Sequence, residues 1–193
     1  MKIIGVGCGP GLLTEQAIKE LLAARTAYGS DRAIELAKPY LKASCRVKSI
    51  DDFKSLHRLP QDSIILSTGD PMLAGLGYLQ GEVIPGVSSL QVAIARLHIP
   101  LSRVSVVVAH GRGHEKGMVD TVDEVKRGKI VFLLADPKFD VSELYSRLQR
   151  LNIPMQIAVC ENLGYPEEKI VVGPIASPPL TSAALYSLMI GSF

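Results

Sequence analysis

The sequence predicts a two-lobed α/β protein, with a mostly parallel sheet and helices in an N-terminal lobe, residues 1–110, and a mixed sheet with helices in a C-terminal lobe, residues 111–193. Three observations carry that expectation. Twelve of the 17 glycines gather in three stretches, Gly5 to Gly11, Gly69 to Gly86 and Gly111 to Gly117, each beside a short apolar run, as loops that turn sharply or admit a ligand would require. Through the first half, apolar runs of strand length alternate with segments of helical spacing, the pattern of a parallel sheet. Beyond Met155 the strand-like runs are joined by turns alone, which fits antiparallel pairing.

In chain order, Lys2 to Cys8 is an apolar strand, and Leu13, Ala17, Ile18, Leu21 and Leu22 recur at helical spacing behind Thr14, a side chain suited to cap a helix. Ala27 to Ser30 is a weak second strand. Ile64 to Ser67 is a short buried strand running into Thr68-Gly69-Asp70-Pro71, and Gly81 to Pro85 is another, each expected to be followed by a helix. Ser88 or Ser89 can cap a helix carrying Leu90, Ala93, Ile94 and Leu97 and ending before Pro100. Val104 to Ala109 is a strand that delivers His110-Gly111-Arg112-Gly113-His114, where the lobes are divided. The second lobe restarts with a helix near Met118 to Arg127 and the strand Ile130 to Leu134. A helix with Val141, Leu144, Tyr145, Leu148 and Leu151 on one face follows, with Asp140 and Glu143 in a capping-box pattern. Met155 to Cys160, Lys169 to Val172 and Ala183 to Ile190 complete the mixed sheet.

Composition narrows the function classes. With 47% hydrophobic and 21% charged residues the chain is core-forming rather than disordered. A net charge of +2, no Trp and 5% aromatic residues supply neither the field nor the stacking surface that nucleic acid asks for. The longest apolar runs fall far short of the roughly 18 residues of a membrane span. No basic region followed by an apolar stretch opens the chain, so a cytoplasmic protein is expected. Cys8, Cys45 and Cys160 are odd in number and far apart, as reduced thiols would be.

The first loop, Gly5-Val6-Gly7-Cys8-Gly9-Pro10-Gly11, stands where a dinucleotide fingerprint would. It fails in detail: G-x-G-x-x-G begun at Gly5 meets Pro10 at its last glycine, and begun at Gly7 it meets Leu12. Asp31 could serve a ribose, which keeps a nicotinamide-dependent reductase as an alternative. Asp70 places a carboxylate beyond a buried strand, where open α/β sheets bind ligands, although an Asp-Pro turn needs no ligand. Pro85-Gly86-Val87-Ser88-Ser89 offers hydroxyls and free amides at a helix start, for a polar ligand group or for capping. His110 and His114 have the spacing of a helical metal pair, but intervening glycines and the want of a third ligand argue for no metal.

Taken together, G-x-G-P-G-x-L-T at the start, Gly69-Asp70-Pro71 to Gly75, and P-G-V-S-S soon after resemble the tetrapyrrole methylase family in its cobalamin-pathway branch, over the whole chain. His110-Gly111-Arg112, Leu134-Ala135-Asp136-Pro137 and Glu161 to Pro166 are most similar to members acting at carbon 5 of a precorrin, with or without cobalt. The resemblance implies the two-lobed tetrapyrrole methylase fold, S-adenosylmethionine as methyl donor in a cleft between the lobes, and a tetrapyrrole substrate. It further implies a homodimer, which an apolar, partly exposed Leu73 to Leu79 would also favour, and a separate partner for C15 methylation and decarboxylation. By match, Pro10, Thr68, Gly69, Asp70, Leu73, Ser88, Ser89, Leu134, Leu163 and Ser182 would line the cofactor. Thr68 departs from a frequent glycine and Ala135 from a common threonine. His110 is the candidate ring-facing group and Arg112 the candidate anchor for a substrate carboxylate. Another corrin-ring methylase and a noncatalytic tetrapyrrole-binding subunit remain as further alternatives.

Overall fold

A computed structural model of the chain describes residues 1–73, 75–109 and 113–193, which divide into two compact units, Met1–Ser89 and Leu90–Phe193. In the first unit β1 (Lys2–Gly5), β2 (Thr26–Gly29), β3 (Arg46–Ser49), β4 (Ile64–Ser67) and β5 (Glu82–Ile84) form one sheet in the order β3-β2-β4-β1-β5, parallel throughout. The two-residue alternation of a strand sends Ile3 and Ile65 to one face, where they pack with Leu56, Leu76 and Leu79. Ile4 and Leu66 are buried on the other. Helix α1 (Glu15–Leu22) begins where Thr14 turns its hydroxyl onto the Ala17 amide at 3.1 Å. Helix α2 (Asp31–Ala37) begins likewise at Ser30, whose hydroxyl accepts from the Ala33 amide at 3.3 Å.

Two expectations for this unit need correction. No helix follows β4 among the described residues: Pro71 stops the backbone on one side and the Leu76 and Leu79 amides close turns onto Pro71 and Leu76. The segment from Leu73 to Leu79 is not an apolar stretch left in the open either. Leu76 and Leu79 are buried in the unit's own core, while Met72 and Tyr78 stay exposed. A dimer is therefore not needed to cover the two leucines. β3 was not foreseen, because all four of its residues are exposed at the sheet edge and leave no apolar pattern to read.

The second unit opens with most of α3 (Ser89–Arg96) and holds β6 (Val104–Ala109), α4 (His114–Lys126), β7 (Ile130–Ala135), α5 (Val141–Gln149), β8 (Gln156–Glu161), β9 (Lys169–Pro174) and β10 (Tyr186–Gly191). Its sheet runs β6-β7-β10-β8-β9, with β6 and β7 parallel and the other neighbours antiparallel, the expected mixed sheet. One face buries Val107, Leu133, Ile157 and Leu188 against Met118 and Val125 of α4 and Leu144, Tyr145 and Leu148 of α5. Truncating fully buried Leu144 or Leu148 to Ala would cost about 3 kcal/mol. Asp140 caps α5 through a 2.9 Å bond from the Glu143 amide, half of the capping box its sequence announces. α4 starts four residues earlier than its apolar spacing indicates. Gly117 lets this first turn lie against β6, where a Cβ would come 2.5 Å from that of Ala109.

Candidate functional site

The carboxyl ends of β1, β4 and β5 carry the first two glycine stretches, and there the chain closes backbone on backbone. The Gly69 amide donates to the Gly7 carbonyl at 2.8 Å and the Gly7 amide returns to Gly69 at 3.3 Å. The Cys8 amide bonds Val87 at 2.9 Å, and the Thr14 hydroxyl reaches the Pro85 carbonyl at 3.2 Å. This approach is so close that only glycine serves. A Cβ on Gly86 would sit 2.3 Å from the Gly69 carbonyl oxygen, and one on Gly5 would sit 2.4 Å from the Gly86 nitrogen.

Asp70 joins the loop after β4 to the loop after β5. Its Oδ1 accepts from the Met72 amide at 2.8 Å, the local bond of an ordinary Asp-Pro turn, and its Oδ2 accepts from the Gly86 amide at 3.2 Å. The local and the long-range use of this carboxylate therefore coexist. Ser88 is buried and Ser89 half-buried at the start of α3, Thr68 and Leu73 are half-buried, and Pro10 is exposed. Next to them Ser67 is buried, and its hydroxyl has no hydrogen-bond partner among the described residues.

These features suit S-adenosylmethionine, whose adenine, ribose and amino-acid ends ask for short hydroxyls and backbone groups rather than for a charged clamp. Gly11, Gly69 and Gly75 all have positive φ, and a Cβ on Gly11 or Gly75 would meet nothing within 4 Å. One on Gly69 would meet only the Ser88 Cα, at 3.7 Å. The loops are thus tight at Gly5 and Gly86 and open above these other glycines.

In the second unit β6, β7 and β8 run the same way, so their carboxyl ends share one sheet edge with the residues that lead into β10. Leu134, Leu163 and Ser182 all lie at or next to that edge. Carboxylates hold it together. Glu161, 3% exposed at the end of β8, accepts from the Ser182 hydroxyl at 2.9 Å, from the Ala183 amide at 2.9 Å and from the Ser182 amide. Burial works against its charge, but these donors and the Lys169 ammonium 3.8 Å away outweigh it and hold its carboxyl below the usual range.

Glu168 does the same for the preceding loop, taking the Gly164 amide at 2.8 Å and Arg96 Nε at 2.6 Å, and its carboxyl too is held low against the cost of burial. That loop turns through left-handed Asn162 and Gly164 and buries Leu163. Ser182 itself is exposed at residue level and spends its hydroxyl on Glu161. Burial, with Glu168 adding to it, pushes the Cys160 thiol up to about 12, so it is protonated and inert.

His110 and Arg112 lie outside the described residues. Of the residues expected to line a cofactor, Pro10, Thr68, Gly69, Asp70, Leu73, Ser88 and Ser89 lie in the first unit and Leu134, Leu163 and Ser182 in the second. Sequence reasoning missed Gly5 and Gly86 as the points of closest approach and Glu161 as a pin. A lone acid ending the apolar run Ile157 to Cys160 was the signal available for Glu161.

Residues 2–179 match the family model for Tetrapyrrole (Corrin/Porphyrin) Methylases. A probable cobalt-precorrin-7 C(5)-methyltransferase from Methanocaldococcus jannaschii is 33% identical across 86% of this chain and 85% of its own. The crystal structure of a cobalamin biosynthesis precorrin-6Y methylase from Archaeoglobus fulgidus, 29% identical, superposes with a TM-score of 0.75 and covers 100% of this chain and 97% of its own. Uroporphyrin-III-C-methyltransferase from Thermus thermophilus, at 19% identity and a TM-score of 0.66 over 99% of this chain and 90% of its own, shares the fold.

Proposed function

The chain belongs to the tetrapyrrole methylase family, and from that premise we propose that it transfers a methyl group from S-adenosylmethionine to carbon 5 of a precorrin in cobalamin biosynthesis. The 33% identity to the Methanocaldococcus jannaschii protein over most of both chains supports the choice of ring carbon. The loops closed by Asp70 at the carboxyl ends of β1, β4 and β5 support the choice of donor.

When bound, the donor supplies a methyl group already activated by a sulfonium, so the protein's task is positioning rather than nucleophilic attack. Asp70 fixes the turn after β4 and the amide of Gly86, which keeps Thr68, Ser88 and Ser89 at constant spacing for the ligand's polar ends. The Glu161 and Glu168 pins do the equivalent for the segments around Leu163 and Ser182. Arg112 is the proposed anchor for a substrate carboxylate and His110 the proposed ring-facing group.

Incubation of the protein with S-adenosylmethionine and precorrin substrates, with and without cobalt, tests the reading. A product heavier by one methyl substitution, located at carbon 5 by carbon NMR, is expected. A methyl group at another ring carbon, or no transfer, contradicts it.

A further inference from the structure

We propose that His114, held by Asp136, accepts the proton that the tetrapyrrole ring gives up on methylation, an inference that rests on the functional reading above. His114 is the first residue of α4, and its Nε2 lies 2.9 Å from Asp136 Oδ2. An ionised carboxylate can only accept, so with Asp136 ionised and the imidazole neutral the bond puts the ring proton on Nε2 and leaves the lone pair of Nδ1 as an acceptor.

The carboxylate is itself fixed. Its Oδ1 takes the Lys138 amide at 2.8 Å, and the Asp136 carbonyl accepts from the Tyr186 hydroxyl at 3.2 Å. Phe139 meets the imidazole edge to face, with centroids 5.6 Å apart and planes at 82°. Orientation and tautomer are thus set from two sides. The pair is still reachable, with side chains 26% and 17% exposed. It stands at the carboxyl ends of β6 and β7, the edge that also carries Leu134 and the loops pinned by Glu161 and Glu168. This is the side of a parallel pair on which α/β sheets place their chemistry.

The reaction needs such a group. An enamine-like ring carbon forms the new C–C bond with its π pair, the electron pair of the broken C–S bond stays with sulfur, and the ring is left with one extra positive charge. Loss of a ring proton to Nδ1 removes that added charge, and the resulting imidazolium, paired with Asp136, releases the proton to solvent. No oxidant or further reactant enters the balance.

Three measurements test the assignment. Nitrogen-15 NMR of the free protein should show the neutral His114 ring protonated at Nε2, and a ring protonated at Nδ1 overturns the inference whatever the activity. His114→Ala and His114→Gln, the second of which keeps an amide donor for Asp136, should each lower kcat about a hundredfold or more. Affinity for S-adenosylhomocysteine, read by calorimetry, should stay within about twofold, and added imidazole should restore part of the rate to the alanine variant. Variants within about threefold of wild-type kcat, or no rescue of a slow alanine variant, overturn it. A wild-type protein that methylates no precorrin contradicts the functional reading instead, and the NMR result still decides the tautomer.

Discussion

The two units hold the loops at their strand ends in different proportions of main-chain and side-chain contact. In Met1–Ser89 the loops at the strand ends are joined backbone to backbone, through glycines whose Cβ positions are already occupied by other main chain, and the Asp70 carboxylate adds one tie between Met72 and Gly86. In Leu90–Phe193 the corresponding loops are held chiefly by side-chain carboxylates, Glu161 to Ser182 and Ala183, Glu168 to Gly164, and Asp136 to Lys138. The first arrangement leaves no room for a Cβ at Gly5 or Gly86 and adds a single carboxylate, Asp70; the second depends on several. The difference teaches that a loop at a strand end can be held chiefly by close main-chain approach at glycines or chiefly by acid side chains.

Substitution should break the two regions differently. Gly86→Ala has the largest expected effect, since its methyl group would overlap the Gly69 carbonyl and the Gly5 backbone, neither of which has a rotamer to adjust. A loss of about 3 kcal/mol in urea unfolding is expected, with cofactor affinity falling alongside. Full stability in this variant would show that the three loops are not locked. Glu161→Gln comes next. It swaps a charged acceptor for an amide whose NH₂ faces donors, at a cost of about 2 kcal/mol in the same measurement.

Acid should sharpen the contrast. Glu161 and Glu168 ionise in the folded chain below their ordinary value of 4.5, so each favours the folded state above that value and loses this contribution as pH falls through the lowered one. The stability gap between wild type and Glu161→Gln should therefore narrow steadily below about pH 4.5. A gap that is constant from pH 7 to pH 3 would remove the charge from the explanation. Arg96→Ala is the smallest change. It removes an Arg96 that is mostly exposed while Glu168 keeps the Gly164 amide, and about 0.5 kcal/mol or less is expected from thermal melts.

The same contrast accounts for what was legible in the sequence. Glycine clusters announce themselves, and Thr14, Asp140 and the strand Ile64 to Ser67 are local patterns that the structure repeats residue for residue. Asp70 was legible as a turn residue, but its bond to Gly86 spans 16 positions and has no local signature. Glu161 is farther from recognition, because its partners lie 21 and 22 residues on in a segment without regular structure. His114 could be read only against His110, four residues back, whereas the partner the fold brings to it, Asp136, is 22 residues ahead. The segment from Leu73 to Leu79 misled for the complementary reason: its two buried leucines are three apart, a helical spacing, yet they are brought to the core by successive turns.

Calorimetric titration of wild type and Asp70→Ala with S-adenosylhomocysteine bears most directly on the central claim, that the Asp70-closed loops of the first unit hold the methyl donor. Wild type should bind saturably, and the variant at least about tenfold more weakly with an unchanged circular dichroism spectrum, as loss of hydrogen bonds to a charged group implies. Equal affinity in the two proteins, or no binding by wild type, would contradict it.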